Sequence, residues 1–316
     1  MTDLKPVVII AGPTACGKTE LALEVAEMFD GEIVNADSMQ VYDELRVLTA
    51  RPTDEEMDRV PHHLFGCLSV SERCSAGRWL EMAQVALADI HSRGKLPIIV
   101  GGTGLYLKTL TDGLAPIPEV PAEIFEGVQA HFDDVGGERF KTELALVDAG
   151  AAERLPASDR QRLIRAAAVF AATGQTLSDW QKAQTSELGY AARYGNVLLM
   201  PPRDEMYDAI NKRFDQMMDL GAMAEAEAFA ELGIPDDLPS ARAVGVAELL
   251  RVIRGKMPLE TAVSKAKTAS RNLAKRQMTW FRRQIRADIT SEEKYLERDN
   301  DKIFSFIRQF VLTEGN

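Results

Sequence analysis

Eight residues near the start of the chain, GPTACGKT at 12–19, carry the pattern G-x-x-x-x-G-K-[ST]. A glycine-rich loop of this kind turns successive backbone N–H groups toward an anion, and the helix that follows adds the positive end of its dipole. Gly12 and Gly17 permit close backbone approach, and Pro13, Thr14, Ala15 and Cys16 complete the loop. Lys18 supplies a point charge, and the Thr19 hydroxyl is a hard oxygen ligand suited to Mg²⁺. Two further residues bear on the chemistry, Asp37 in NADSMQVY and Thr103 in GGTGLY. In a P-loop hydrolase or kinase the Walker-B strand ends in an acid that helps to hold Mg²⁺. Here the apolar run LPIIV at 96–100 leads into GGTG, with Thr103 where a carboxylate would stand, and the acid follows EIVNA instead, as Asp37. That set suits a reaction in which a diphosphate held by the loop is the leaving group, while Asp37 takes a proton from the attacking nucleophile. Asp37 has two other uses open to it, as a helix N-cap or as a secondary Mg²⁺ ligand.

These groups need elements to hold them. VVIIA at 7–11 reads as a buried parallel strand, and Leu21, Ala22, Val25 and Phe29 recur at helical spacing after the loop. EIVNA at 32–36 and LPIIVGG at 96–102 are further strands separated by helical stretches, the sign of a parallel sheet covered by helices. The predicted fold is α/β, a P-loop NTPase-like core with a parallel sheet and an all-helical insertion domain. In such sheets the ligand crevice lies outside the carboxyl ends of the strands, so Lys18, Asp37 and Thr103 are expected to converge there. After Thr111 the segment DGLAPIPEVP brings three prolines within six residues, and the chain then reads as helical to about residue 195. It returns through NVLLMPP at 196–202 and ends in long helices. The expected division is a core of residues 1–115 and 196–316 and an inserted domain of residues 116–195.

A chain of 316 residues, 46% of them hydrophobic, can bury a large core. No apolar stretch reaches the length of a membrane span, and MTDLKP lacks the layout of a signal peptide, so a cytoplasmic protein without a membrane partner is expected. Three cysteines, Cys16, Cys67 and Cys74, are too few for a disulfide framework. His62, His63, Cys67 and Cys74 match no zinc spacing. The net charge of −11 taken alone argues against a nucleic-acid partner, but its distribution argues the other way. From residue 261 to 287 there are eight basic residues (Lys265, Lys267, Arg271, Lys275, Arg276, Arg282, Arg283, Arg286) and no acid. At about 100° per residue, Lys267, Arg271, Lys275, Arg282 and Arg286 fall within roughly a 100° sector of one helix, a stripe suited to a polyanion. A second cluster, SDRQRLIRA at 158–166, sets Arg162 and Arg165 three apart with Arg160 beside them.

GPTACGKT, DSMQVY (37–42), ARPT (50–53), PHHL (61–64), GGTGLY (101–106), DRQRLIRA (159–166), RAVG (242–245) and AKRQMTWFR (274–282) follow one another in this order. In this series the chain resembles the tRNA dimethylallyltransferases, also called tRNA isopentenyltransferases, in their bacterial form. The resemblance implies transfer of a dimethylallyl group from dimethylallyl diphosphate to N6 of the adenosine immediately 3′ of the anticodon. It also implies Mg²⁺ as cofactor and the anticodon stem-loop of tRNA as partner; a monomer is expected. Residues 14–19 would hold the diphosphate with Arg242 as a further contact, Asp37 would be the base, and Thr103 would bond at the leaving-group oxygen. Asp37, Ser38, Met39 and Gln40, and likewise Gln161, Arg162, Leu163, Ile164 and Arg165, match segments that contact tRNA. Lys267, Arg271, Lys275 and Arg282 would face its phosphates. Cys16 stands where the family usually has Ser, and Val246 where Tyr is common after RAVG. No Cys follows Cys74 and no His follows His131, so the C-terminal zinc finger of eukaryotic relatives is not expected. The competing readings are an adenylate isopentenyltransferase, a P-loop kinase for a small metabolite, and a non-enzymatic RNA-binding protein.

Overall fold

The computed structural model describes residues 4–182, 189–293 and 300–313. The stretch 183–188 of the expected insertion and the first three residues of MTDLKP lie outside them. Six strands form one parallel sheet: β1 (Pro6–Ala11), β2 (Gly31–Asn35), β3 (His62–His63), β4 (Leu96–Gly101), β5 (Arg193–Leu199) and β6 (Ile289–Ser291). Their order is β3-β2-β4-β1-β5-β6. β1 lies centrally between β4 and β5, in the register Val8 to Ile98 and Val8 to Gly195. The loops that leave β1, β4 and β2 therefore stand side by side at the carboxyl edge of the sheet.

Strand pleating sends alternate side chains to opposite faces, and both faces are dry. Val7, Ile9 and Ala11 join Val34, Ile99 and Leu198 in one core, while Val8 and Ile10 join Ile33, Ile98 and Val197 in the other. The first core is covered by α3 (Ala76–Ser92), α4 (Gly104–Asp112), α9 (Arg203–Asp219), α10 (Ala222–Glu231), α11 (Val246–Ile253) and α12 (Leu259–Gln284). The second is covered by α1 (Lys18–Met28) and α13 (Asn300–Leu312), through Leu21, Val25, Ile303 and Ile307. Local chemistry starts the helices where sequence places them. Ser75 accepts the Arg78 N–H at the head of α3, and Thr53 and Glu56 close a capping box on α2 (Asp54–Arg59).

The chain divides into two compact units, Met1–Thr111 with Tyr190–Asn316, and Asp112–Gly189. The return to the sheet is earlier than NVLLMPP suggests, because Arg193 and Tyr194 already pair with Pro6 and Val7. Tyr194 looks polar in sequence, yet its hydroxyl donates to the carbonyls of Tyr190 (2.6 Å) and Leu110 (3.3 Å), which lets the ring sit against the core. β6, three residues long and carrying one Ile, gave no strand signal. The second unit is helical in its described residues: α5 (Ala122–Ala145), α6 (Ala149–Arg154), α7 (Arg160–Thr173) and α8 (Leu177–Lys182). Its own core is Phe132, Phe140, Leu144, Leu163 and Ile164 with small residues between them. No helix among the described residues is long and apolar enough to cross a membrane.

Candidate functional site

The loop after β1 curls because Ala15 (φ 63°) and Gly17 (φ 80°) both adopt left-handed backbone. Ala15 pays a steric penalty for this that a glycine would avoid. Gly12 has a different reason to be glycine. A Cβ there would stand 2.6 Å from the Leu199 carbonyl oxygen, so the residue lets β5 close on the loop rather than lining the space in front of it. Lys18 folds back over the loop and donates to the Pro13 carbonyl at 2.6 Å, with Nζ 3.7 Å from Cys16 Sγ. Thr14, Ala15, Cys16, Gly17, Lys18 and Thr19 line a cavity of about 700 Å³, and Gly12 and Pro13 are not among its lining residues.

Asp37 is set by a bracket that the sequence did not reveal. Asn35 is fully buried at the end of β2; its Oδ1 accepts the Asp37 N–H at 2.8 Å, and its Nδ2 donates to the Asp37 and Leu64 carbonyls at 3.0 Å. Trp79, also fully buried, donates from Nε1 to the Asn35 carbonyl and stacks on Tyr106 with ring centroids 4.6 Å apart. One Asp37 oxygen, Oδ1, accepts the Met39 N–H at 2.9 Å and closes a turn; no helix starts there, so Asp37 is not a helix N-cap. Oδ2 has no protein partner among the described residues and is available for a second task. Thr103 stands beside it. Its Oγ1 accepts the Ser38 N–H at 2.9 Å and lies 3.3 Å from Ser38 Oγ, while its N–H donates to the Ala36 carbonyl. Lys18, Asp37 and Thr103 thus come from three adjacent strand ends, as expected.

Asp37 and Thr103 border a second cavity of about 370 Å³, with Ser38, Met39, Arg242, Arg276 and Gln277. Thr14, Asp37 and Arg213 line both cavities. Arg213, on α9, is a residue that sequence reasoning missed, since it lies in an ordinary helical stretch with no motif around it. Its Nη1 donates to Thr14 Oγ1 at 3.3 Å, and no carboxylate forms an ion pair with it among the described residues. Burial pulls its pKa down, and the charge of Asp37 pulls it back up. An arginine side chain keeps its proton in proteins, so a half-buried cation lacks an ion-pair partner among the described residues. Glu225, on α10, was also missed. Its carboxylate accepts the N–H groups of Arg46, Val47 and Leu48 at 2.7 to 2.8 Å and so fixes the loop that walls the first cavity.

Several expectations need correction. Gly101, Gly102 and Gly104 of GGTG make room for protein, although Gly101 also lines the first cavity. Added Cβ atoms would meet the Ala36 carbonyl at 2.1 Å, Gln277 at 2.4 Å and Trp280 at 2.2 Å respectively. Arg242 lines the second cavity and not the first, with Nε on the Asp236 carbonyl, so the geometry does not bring it to the phosphate loop. Leu163 and Ile164 are 0% and 1% exposed in the core of the second unit, because α7 needs an apolar face; their side chains cannot present to RNA. On the same helix Gln161 and Arg162 are exposed, Arg165 is half-buried with its pKa lowered by burial, and Arg160 pairs with Asp133. The stripe on α12 divides. Lys267 pairs with Asp215 at 2.6 Å and Arg271 donates to Asn211 at 2.6 Å, both on α9, so these two serve helix packing. Lys275, Arg276, Arg282 and Arg283 are exposed and form no ion pair among the described residues. Arg286 lies beyond the end of the helix at Gln284 and leaves the sector assigned to it. His63 is engaged by Glu32 at 2.7 Å, within a cluster that includes Arg93.

A glycine-rich loop of P-loop pattern, a bracketed carboxylate and an exposed basic helix share one unit. The profile of the family IPP transferase matches residues 40–284. The chain belongs to the IPP transferase family. A second profile, isopentenyl transferase, matches residues 5–65, which include the phosphate loop. The tRNA dimethylallyltransferase of Rhodospirillum centenum is 46% identical over 287 residues, 91% of each chain. That of Phenylobacterium zucineum is 48% identical over 277 residues, 88% of this chain and 89% of the other. Among solved structures, a tRNA isopentenylpyrophosphate transferase from Bacillus halodurans matches with a TM-score of 0.71 at 32% identity, covering 97% of this chain and 96% of its own. A eukaryotic dimethylallyltransferase acting on tRNA matches with a TM-score of 0.83 at 25% identity, covering 97% of this chain and 79% of its own. The fold is the P-loop NTPase-like one of these family members, and membership removes the kinase and the non-enzymatic binding protein from consideration.

Proposed function

We propose that the two cavities take the two substrates of one prenyl transfer, and that Thr14, Asp37 and Arg213, which border both, stand where the substrates meet. That shared wall is the observation that carries the reading. The chain is a prenyltransferase: it moves a dimethylallyl group from dimethylallyl diphosphate to N6 of the adenosine 3′-adjacent to the anticodon in tRNA, releasing diphosphate. In the first cavity the loop N–H groups, Lys18 and Arg213 receive the diphosphate. An unpaired half-buried guanidinium is stabilised most by an anion of just this kind. The adenine enters the second cavity, which requires it to leave the stack of the anticodon loop.

The exocyclic amine is a poor nucleophile because its lone pair is delocalised into the ring. Asp37 Oδ2 takes the N6 proton as the new C–N bond forms, and the electron pair of the breaking C–O bond departs with the diphosphate. The Thr103 hydroxyl borders the second cavity with its proton toward Ser38 Oγ, and it is assigned to the leaving oxygen at the wall the two cavities share, a role that requires it to turn away from Ser38. Mg²⁺ fits the oxygen donors present. Thr19 and Asp37 both line the first cavity, and phosphates and water would complete the ion's shell. When bound it would neutralise charge on the departing diphosphate. Lys275, Arg276, Arg282 and Arg283 are assigned to the RNA backbone, with Gln161, Arg162 and Arg165 as contacts from the second unit.

The test is direct. The protein is incubated with Mg²⁺, labelled dimethylallyl diphosphate and an anticodon stem-loop bearing the target adenosine, with AMP as the competing acceptor. Label is expected on the RNA, with ATP neither required nor hydrolysed. Labelling of AMP alone would favour an adenylate isopentenyltransferase, and ATP hydrolysis stimulated by RNA would overturn the assignment of the loop.

A further inference from the structure

Gln277 makes contacts that none of its helical neighbours makes. From α12 its Oε1 accepts the N–H of Thr14 in the phosphate loop at 2.9 Å, and its Nε2 donates to the carbonyl of Gly102 at 3.0 Å. Both ends of one amide are thereby spent on two loops that belong to different strands. The next links are short. Gly102 precedes Thr103, whose hydroxyl and N–H hold Ser38 and Ala36 on either side of Asp37. Thr14 also receives Arg213 on its hydroxyl. A chain of hydrogen bonds, joined by the Gly102–Thr103 peptide bond, therefore runs from the phosphate loop through Gln277 to the Thr103 hydroxyl and on to the Asp37 segment.

The amide is held by packing as well as by its bonds. Gln277, Phe281 and Gln284 fall on one face of α12; Phe281 is fully buried, Trp280 lies against Gly104, and Gln284 accepts from Lys108 on α4 at 3.0 Å. The absence of side chains at Gly102 and Gly104 is what lets the helix come this near. The cations assigned above to RNA, Lys275, Arg276, Arg282 and Arg283, sit on neighbouring positions of the same helix.

We propose that Gln277 is a positioning residue for the transfer. It touches no reacting atom, but it sets the spacing between the loop that holds the diphosphate and the Thr103 hydroxyl that meets the leaving oxygen. The inference rests on the reading given under Proposed function. It also explains why α12 must end its basic stripe beside the phosphate loop: one rigid element then carries the RNA contacts and the register of the diphosphate site.

Gln277→Met keeps length and shape and removes both hydrogen bonds. Gln277→Glu keeps the acceptor for Thr14 and replaces the donor to Gly102 with a repelling oxygen, which becomes a donor again only when the carboxyl is protonated. Steady-state transfer to an anticodon stem-loop is measured for both variants, with RNA affinity by filter binding and thermal denaturation alongside. For Gln277→Met, kcat/KM for dimethylallyl diphosphate is expected to fall roughly 10–100-fold, the size of effect a small misplacement causes. RNA affinity should stay within about twofold. Gln277→Glu is expected to be weaker than Gln277→Met at pH 8 and to recover relative to wild type as the pH is lowered. A Gln277→Met protein whose kcat/KM for dimethylallyl diphosphate is within twofold of wild type, or whose loss is matched by lost RNA affinity, would overturn the proposal. So would a Gln277→Glu protein whose ratio to wild type does not change with pH. If wild type itself transfers no label, the failure belongs to the proposed function and not to Gln277.

Discussion

The phosphate loop and the exposed face of α12 are both cationic, yet they are built in opposite ways. The loop works through backbone: Ala15 and Gly17 take left-handed conformations, β5 closes on Gly12, and Lys18 is folded into the loop itself. The helix works through side chains: Lys275, Arg276, Arg282 and Arg283 stand in solvent without acidic partners among the described residues. The ligand proposed for the loop is a diphosphate, small and held by dipoles whose directions must be right, so the loop is expected to tolerate little change in shape and to respond little to salt. The ligand proposed for the helix is an RNA backbone, long and held by charge at roughly the right spacing, so the helix is expected to tolerate shape changes and to respond to salt. Asp37 belongs with the first kind. Its position is owed to Asn35 and Trp79, and its free oxygen to a geometry in which only Oδ1 caps the turn.

The largest effect expected from this contrast is at Asp37. Asp37→Ala should lower kcat by about 10²–10⁴-fold, as for loss of a general base, with RNA affinity changed by a few-fold at most. A variant with near-normal kcat would remove Asp37 from the chemistry. Next comes the seat of α12: in Gly104→Ala the new methyl would lie 2.2 Å from the Trp280 ring, and a cost of about 1–3 kcal/mol is expected from urea denaturation. An unchanged midpoint would mean that α12 is not tightly seated. A smaller and more specific effect separates the two halves of the stripe. Neutralising Lys275 and Arg282 together should reduce the slope of log K against log salt for RNA by about 2, since each phosphate contact contributes about 1. Lys267→Ala should barely alter it, because Asp215 already neutralises Lys267. Equal slopes in all three proteins would leave the helix with an ordinary solvated face.

The smallest effect is a control on charges that serve neither region. The Glu32 carboxyl is held below its ordinary pKa, first by its bond to Arg93 and then by His63, against the opposing pull of burial. A lowered carboxylate pKa adds stability that is complete above the unfolded value, about 4.3, and is lost as pH falls through the lowered one. Glu32→Gln should therefore flatten the acid side of a plot of melting temperature against pH and leave transfer kinetics at neutral pH unchanged. A parallel shift of the whole curve would show that the pair does not titrate with folding.

The contrast also marks what could be read without the structure. GPTACGKT, the runs VVIIA, EIVNA and LPIIV, and the acid-free stretch after residue 261 are local patterns, and each imposes its outcome over a few residues. A fully apolar run between helices becomes a strand buried on both faces, a glycine-rich turn before a helix becomes an anion cradle, and crowded like charge seeks solvent or a polyanion. Those patterns determined the fold class, the glycine-rich loop and the origin of Lys18, Asp37 and Thr103 at the ends of three neighbouring strands. Tertiary structure decided which groups are free to act. Lys267 and Lys275 are alike in the chain, and only the presence of Asp215 on another helix separates a packing cation from an exposed one. Leu163 and Ile164 sit in a motif rich in arginine, and only the packing of α7 shows them turned inward. Gln277 lies 263 residues from Thr14, Arg213 199 from it, and Glu225 179 from Arg46. A hydrogen bond closed over such a distance leaves no periodic trace in sequence, because it depends on where two independent elements come to rest and not on the residues around either end.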